Sequence, residues 1–163
     1  MNPKLSTILA PLVPALKQLL VYLQGMQPQT QTMLQKLALA IRDYEGAPGD
    51  LNYLLNNPGD CRPSPDGYLP KYEPVVIVDT DTDPTYPFHR GSFAKFPSCD
   101  IGWLYLNNLL ENMIENHPDW TLFQLTSAYA PSTDGNDPAH YAQFLGKRLG
   151  VDYQTYQIKN ILV

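Results

Sequence analysis

One carboxyl and one asparagine-rich turn stand out as groups able to do chemistry. Glu45 closes the run AIRDYEG at 40–46, and Asn56-Asn57-Pro58-Gly59-Asp60 begins eleven residues later. Glu45 lies one helical turn after Ile41, so it continues an apolar stripe of Leu34, Leu37, Ile41 and Tyr44. Burial disfavours a charged carboxylate, and the carbonyl end of a helix does the same. The expectation is a glutamate with a raised pKa, able to donate a proton near neutral pH. The plainer alternative is a solvated carboxylate on a fraying helix end, and the residue taken alone favours it.

The two asparagines offer amides to a polar ligand, yet Asn before Pro-Gly is also ordinary turn chemistry. Both roles fit if one side chain bonds the loop and the other faces a cleft; Asn57 is the favoured ligand contact, with Asn56 beside it. Asp60, Asp66, Asp79, Asp81 and Asp83 are candidates for a second carboxylate. Tyr129, in SAYAP, is placed to stack on a ligand or to reach Glu45, and equally to serve as a core aromatic. The Asp134-Gly135-Asn136 turn reads as structural, and Tyr141 is open to either face. DTDTDP lacks the glycine and distal glutamate of a calcium loop and reads as an acidic turn. His89, His117 and His140 are scattered and make neither a metal set nor a catalytic triad, so no metal and no cofactor is expected.

The elements that must position these groups are mostly helical. Periodicity predicts helices over 33–44, with Thr30 or Thr32 as cap, and over 100–117, 120–131 and 138–151, the last opened by Pro138. Residues 46–74 are rich in turn residues and read as loop. PVVIVDT at 74–80 and GSFAKFP at 91–97 read as two short strands, and 152–163 as a short last helix. The first residues, KLSTILAPLVPALKQLLVYL, are apolar, but Pro11 and Pro14 break the run and Lys17 and Gln18 interrupt it. A bilayer needs an unbroken apolar span of roughly 20 residues. No clear small-residue cleavage motif follows either. Residues 4–24 therefore read as a helix whose leucine face wants a partner: the domain, another copy, other proteins or a membrane surface.

Composition narrows the classes. With 44% hydrophobic and 17% charged residues the chain is globular, and its net charge of −5 without a basic run excludes a phosphate-gripping nucleic-acid binder. The two cysteines, Cys61 and Cys99, lack metal-ligand spacing; separate thiols are expected ahead of a disulfide.

Taken in order, AIRDYEG (40–46), NNPGDCR (56–62), GSFAKF (91–96), CDIGWLYLNNLL (99–110) and TLFQLTSAYAPSTDGNDPAHYAQFLGKRLGV (121–151) resemble the lysozyme-like domains of phage and prophage proteins. That group comprises virion structural proteins and peptidoglycan lytic transglycosylases. The resemblance spans roughly 33–151. It departs at Asp60, where the family carries Asn, at Cys61, where it carries an apolar residue, and in a spacer, 46–55, with no basic residue and Tyr53 as its one aromatic.

The resemblance implies an α+β, mostly α, lysozyme-like domain with a small β hairpin over 31–163, preceded by an N-terminal apolar helix and linker over 1–30. It implies cleavage of the bond between N-acetylmuramic acid and N-acetylglucosamine, with Glu45 as catalytic acid and Asn56, Asn57, Asp60 and Tyr129 as substrate contacts. The expected partner is a peptidoglycan glycan strand, on a virion or in the bacterial periplasm and wall. The alternatives are a non-catalytic virion or assembly protein that keeps the fold, and a glycan-binding module.

Overall fold

The computed structural model describes residues 31–62, 76–79 and 92–163. The expected helix at 4–24, its linker, Thr30, Asp66, Asp81, Asp83 and His89 lie outside the described residues.

The described part is mostly helical. Helix α1 spans Met33–Glu45 and opens on a capping box: the Gln35 backbone N–H donates to Thr32 Oγ1, and the Thr32 N–H donates to the Gln35 side chain. Its stripe of Leu37, Ala38, Ala40 and Ile41 is buried, as the periodicity requires. A one-turn helix, α2 (Leu51–Leu54), interrupts a stretch expected to be loop. Leu51 and Leu55 are both buried, and four-residue spacing brings them to one side of a single turn. Strands β1 (Val76–Asp79) and β2 (Ser92–Lys95) pair antiparallel, Val76 opposite Lys95 and Asp79 opposite Ser92.

Helices α3 (Cys99–Asn116), α4 (Leu122–Tyr129) and α5 (Pro138–Leu149) follow, each capped by its own sequence. Ser98, Thr121 and Asp137 accept from first-turn N–H groups, and Gly150 closes α5 in the left-handed conformation. The expected last helix is instead a turn followed by a short 3-10 helix, Ile158–Ile161. Its two isoleucines, three apart, share one face of such a helix and are both buried.

Helix α1 packs against α3 and α5, and α4 packs against α5. Leu37, Ile41, Leu106, Leu110, Leu125, Tyr141 and Leu145 form the shared core. Tyr44 of α1 stacks on Tyr141 of α5 with ring centroids 3.8 Å apart. Thr126 Oγ1 donates across the α4–α5 turn to the Pro138 carbonyl at 2.9 Å. No described helix is long and apolar enough to cross a membrane.

Gly102 sets how closely α3 meets the asparagine loop. A Cβ there would collide with the Asn56 carbonyl oxygen and come within 2.9 Å of Pro58 Cδ. Overpacking against backbone costs about 1–3 kcal/mol, more than the roughly 1 kcal/mol that alanine gains in a helix. Gly102→Ala is therefore expected to lower the melting temperature by several degrees, and an unchanged melting curve would show that α3 and the loop do not touch there.

Candidate functional site

Glu45, the last residue of α1, lines a cavity of about 360 Å³. The loop after α2 contributes Gly59 to Arg62, β2 contributes Phe93, and α3 contributes Leu109 and Met113. Ala128 to Ala130 at the end of α4, with Asp134 and Asn136 from the turn beyond it, complete the wall. The hollow thus joins an apolar surface of Phe93, Leu109 and Met113 to polar groups at Glu45, Asp60, Arg62, Asp134 and Asn136.

Burial pushes the Glu45 carboxyl above the ordinary carboxylate range. Opposing it, the Tyr141 hydroxyl donates to Glu45 Oε1 at 2.6 Å, which favours the charged form. Tyr141 is buried in the first turn of α5, where stacking on Tyr44 fixes its ring. The sequence left Tyr141 open and offered Tyr129 as a partner for Glu45. The structure assigns the contact to Tyr141, because α5 packs directly on α1.

Asn57 corrects the sequence reading most sharply. It is fully buried and does not line the cavity. Its Nδ2 donates to the carbonyls of Cys61 and Ala94, both at 2.9 Å, and its Oδ1 accepts from the Cys61 N–H at 2.9 Å. Both amide hydrogens are used within the fold, so Asn57 holds the loop to β2 and leaves none to donate to a substrate. Asn56 turns the other way. It donates to the Phe96 carbonyl at 3.1 Å and borders a separate hollow of about 260 Å³ with Tyr53 and Trp103. Neither asparagine faces the Glu45 cavity.

The loop is a tight turn with Pro58 at its second position, closed by the Asp60 N–H on the Asn57 carbonyl at 3.0 Å. Asn56 and Asp60 flank it with φ of 54° and 45°, the left-handed region that Asn and Asp tolerate best among side-chain-bearing residues. Asp60 does reach the cavity. Burial, then the charges of Glu45 and Asp50, push its carboxyl up to about 7. Its Oδ1 is shut from solvent and has no hydrogen-bond partner among the described residues.

Tyr129 lines the cavity as expected, but its hydroxyl is engaged, donating to the Gly59 carbonyl at 2.6 Å. With that hydrogen committed, the Cys61 thiol 3.6 Å away is the donor to Tyr129. Burial pushes this thiol up to about 12, so it stays protonated. Cys61 and Cys99 are separate free thiols. Gly59 has no room for a side chain, since a Cβ would meet the Tyr129 hydroxyl and lie 2.8 Å from Leu106 Cδ1. Gly59→Ala is expected to break the Tyr129 bond and cost about 1–3 kcal/mol, read as a lower denaturation midpoint.

Two wall residues were read from sequence as turn-formers alone. Asp134 and Asn136 both line the cavity, and Asp134 lies 4.0 Å from Arg62. The Arg62 guanidinium also sits 5.2 Å from the Phe93 ring centre. Nothing local marks these residues; only the packing of α4 beside the loop brings them to the cavity. Among the described residues no group of His, Cys, Asp and Glu is arranged to hold a metal. No family model, curated protein or solved structure matches the chain.

Proposed function

We propose that the protein cleaves the glycan strand of peptidoglycan between N-acetylmuramic acid and N-acetylglucosamine, with Glu45 as an essential carboxyl. The observation that carries this reading is the Glu45 carboxyl itself: partly buried, raised in pKa, oriented by Tyr141 and set in the wall of an open cavity beside a second carboxyl. Glycosidic bond cleavage needs a carboxyl group that holds or takes a proton where the leaving or attacking oxygen sits. The surroundings also suit a sugar, whose ring has an apolar face and a hydroxyl-bearing edge. Phe93, Leu109 and Met113 fit the first, and Arg62, Asp134 and Asn136 the second. The order of sequence motifs points to the same substrate. Placement on a virion or in the bacterial periplasm or wall belongs to this reading.

The test is incubation of the chain with purified peptidoglycan and mass spectrometry of what is released. Soluble muropeptides are expected. Saturable binding without release would favour a glycan-binding module, and neither binding nor release would sink the proposal. Product mass separates a reducing-end sugar from a 1,6-anhydro sugar, which is lighter by one water.

A further inference from the structure

We infer that the two carboxyls of the cavity divide the chemistry, with the proton on Asp60 and the negative charge on Glu45, so that Asp60 is the donor to the glycosidic oxygen. This rests on the glycan-cleavage reading and reverses the role that the sequence assigns to Glu45. Hydrogen bonding separates the two groups. Glu45 Oε1 receives the Tyr141 hydroxyl at 2.6 Å, an arrangement that favours a carboxylate. Among the described residues Asp60 receives no such donor, and its Oδ1 is buried without a partner there, an arrangement that favours the neutral acid.

The groups facing Asp60 keep it that way. Glu45 and Asp50 are acidic and both oppose its ionisation. Cys61 stays a thiol, and the Tyr129 hydroxyl is committed to the Gly59 carbonyl. Arg62 is the cation on the wall among the described residues, and it lies 4.0 Å from Asp134. Burial is the largest cause of the rise of Asp60 to about 7, whereas the rise of Glu45 is opposed by its tyrosine. Two carboxyls of one cavity, one holding a hydroxyl donor and the other lacking one, are suited to base and acid roles.

In the resulting step the bond from the anomeric carbon to the glycosidic oxygen breaks, and that oxygen takes the Asp60 proton. Glu45 takes a proton from the attacking hydroxyl as its oxygen bonds to the anomeric carbon. With water as attacker the products gain one water; with the sugar's own hydroxyl they form the anhydro ring. Solvent exchange then returns a proton to Asp60 and removes one from Glu45.

The experiment is a carbon-13 carboxyl NMR titration of the native chain, Asp60→Asn and Glu45→Gln, paired with turnover on peptidoglycan. A carboxyl titrating near 7 is expected in the native chain and absent from Asp60→Asn. Its persistence in Asp60→Asn, or titration of every carboxyl in the ordinary range, overturns the inference. Asp60→Asn should fold, since Asn tolerates the backbone there and mimics the neutral acid. It should lose about 100-fold or more in turnover. Native-like turnover by this variant would overturn the donor role even with the titration as expected. An inactive native chain sinks both the glycan reading and the donor role, while the titration still decides where the proton sits.

Stability offers a readout independent of turnover. The folded state holds the Asp60 proton more tightly than the unfolded chain, so the native form binds more protons between the ordinary aspartate range and about 7. Its stability should fall as pH rises through that window and level off above it. Asp60→Asn lacks this dependence, so its melting temperature should gain on the native one across the same window.

Discussion

Glu45→Gln is expected to lower the rate of peptidoglycan cleavage by about 100- to 10,000-fold, the usual worth of a positioned proton-transfer group. Glutamine keeps the length and shape of the side chain, and its carbonyl oxygen can still accept the Tyr141 hydroxyl that now reaches Glu45 at 2.6 Å. What it cannot do is take or give a proton at the pH of the reaction, so the loss follows whichever role Glu45 holds. Stability should move in the opposite direction. The folded pKa of Glu45 is raised by burial, so the native state binds more protons than the unfolded one above the ordinary glutamate range. Glutamic acid therefore costs stability as pH rises through that range, and Gln removes the cost. The variant should melt at the same temperature as the native chain or above it at neutral pH. A variant that cleaves at the native rate would show that Glu45 takes no part in the reaction.

Asn57→Ala is expected to be among the most destabilising single substitutions in the protein, although Asn57 touches no substrate. The change removes three buried hydrogen bonds, two donated to the Cys61 and Ala94 carbonyls and one accepted from the Cys61 N–H. The Cys61 carbonyl keeps the Ala94 N–H at 3.0 Å, but the Cys61 N–H and the Ala94 carbonyl lose their partner, and at about 1–3 kcal/mol for each buried group left unpaired a loss of roughly 2 kcal/mol or more follows. Asn57→Asp should be at least as damaging, because a carboxylate would face two carbonyl oxygens with no hydrogen to offer. Chemical denaturation of both variants checks this. A midpoint within error of the native chain would return Asn57 to the list of candidate ligand contacts. Activity should fall only as far as the folded fraction falls, which distinguishes Asn57 from Glu45.

Much of the local structure was legible in the residues. The stripe of Leu37 and Ile41 with Thr32 before it marks α1, and Pro138 and Gly150 bracket α5, because periodicity and capping act within a few residues of chain. Gly46 and Pro48 place the end of α1, and burial along its stripe accounts for the raised Glu45 carboxyl. The one-turn helix at Leu51 was not legible, since its cause is the burial of Leu51 and Leu55 rather than any local signal. The C-terminal segment differs for a similar reason: it bonds to the start of α4, with the Ile158 N–H on the Trp120 carbonyl at 2.8 Å, and a full helix would forgo that contact.

The sequence by itself offered the groups that could do chemistry: one glutamate at a helix end, an asparagine-rich turn after it, and five aspartates, Asp60 among them, as the second carboxylate. It could not say which way an amide or a phenol points, because a single residue type serves a turn, a core or a ligand equally well. Tertiary packing made those choices. Placing α5 on α1 gave Glu45 its hydroxyl donor in Tyr141, and placing the loop on β2 consumed Asn57. The same packing left Asp60 on the cavity wall without a hydrogen-bond donor among the described residues, a difference from Glu45 that residue type alone does not show.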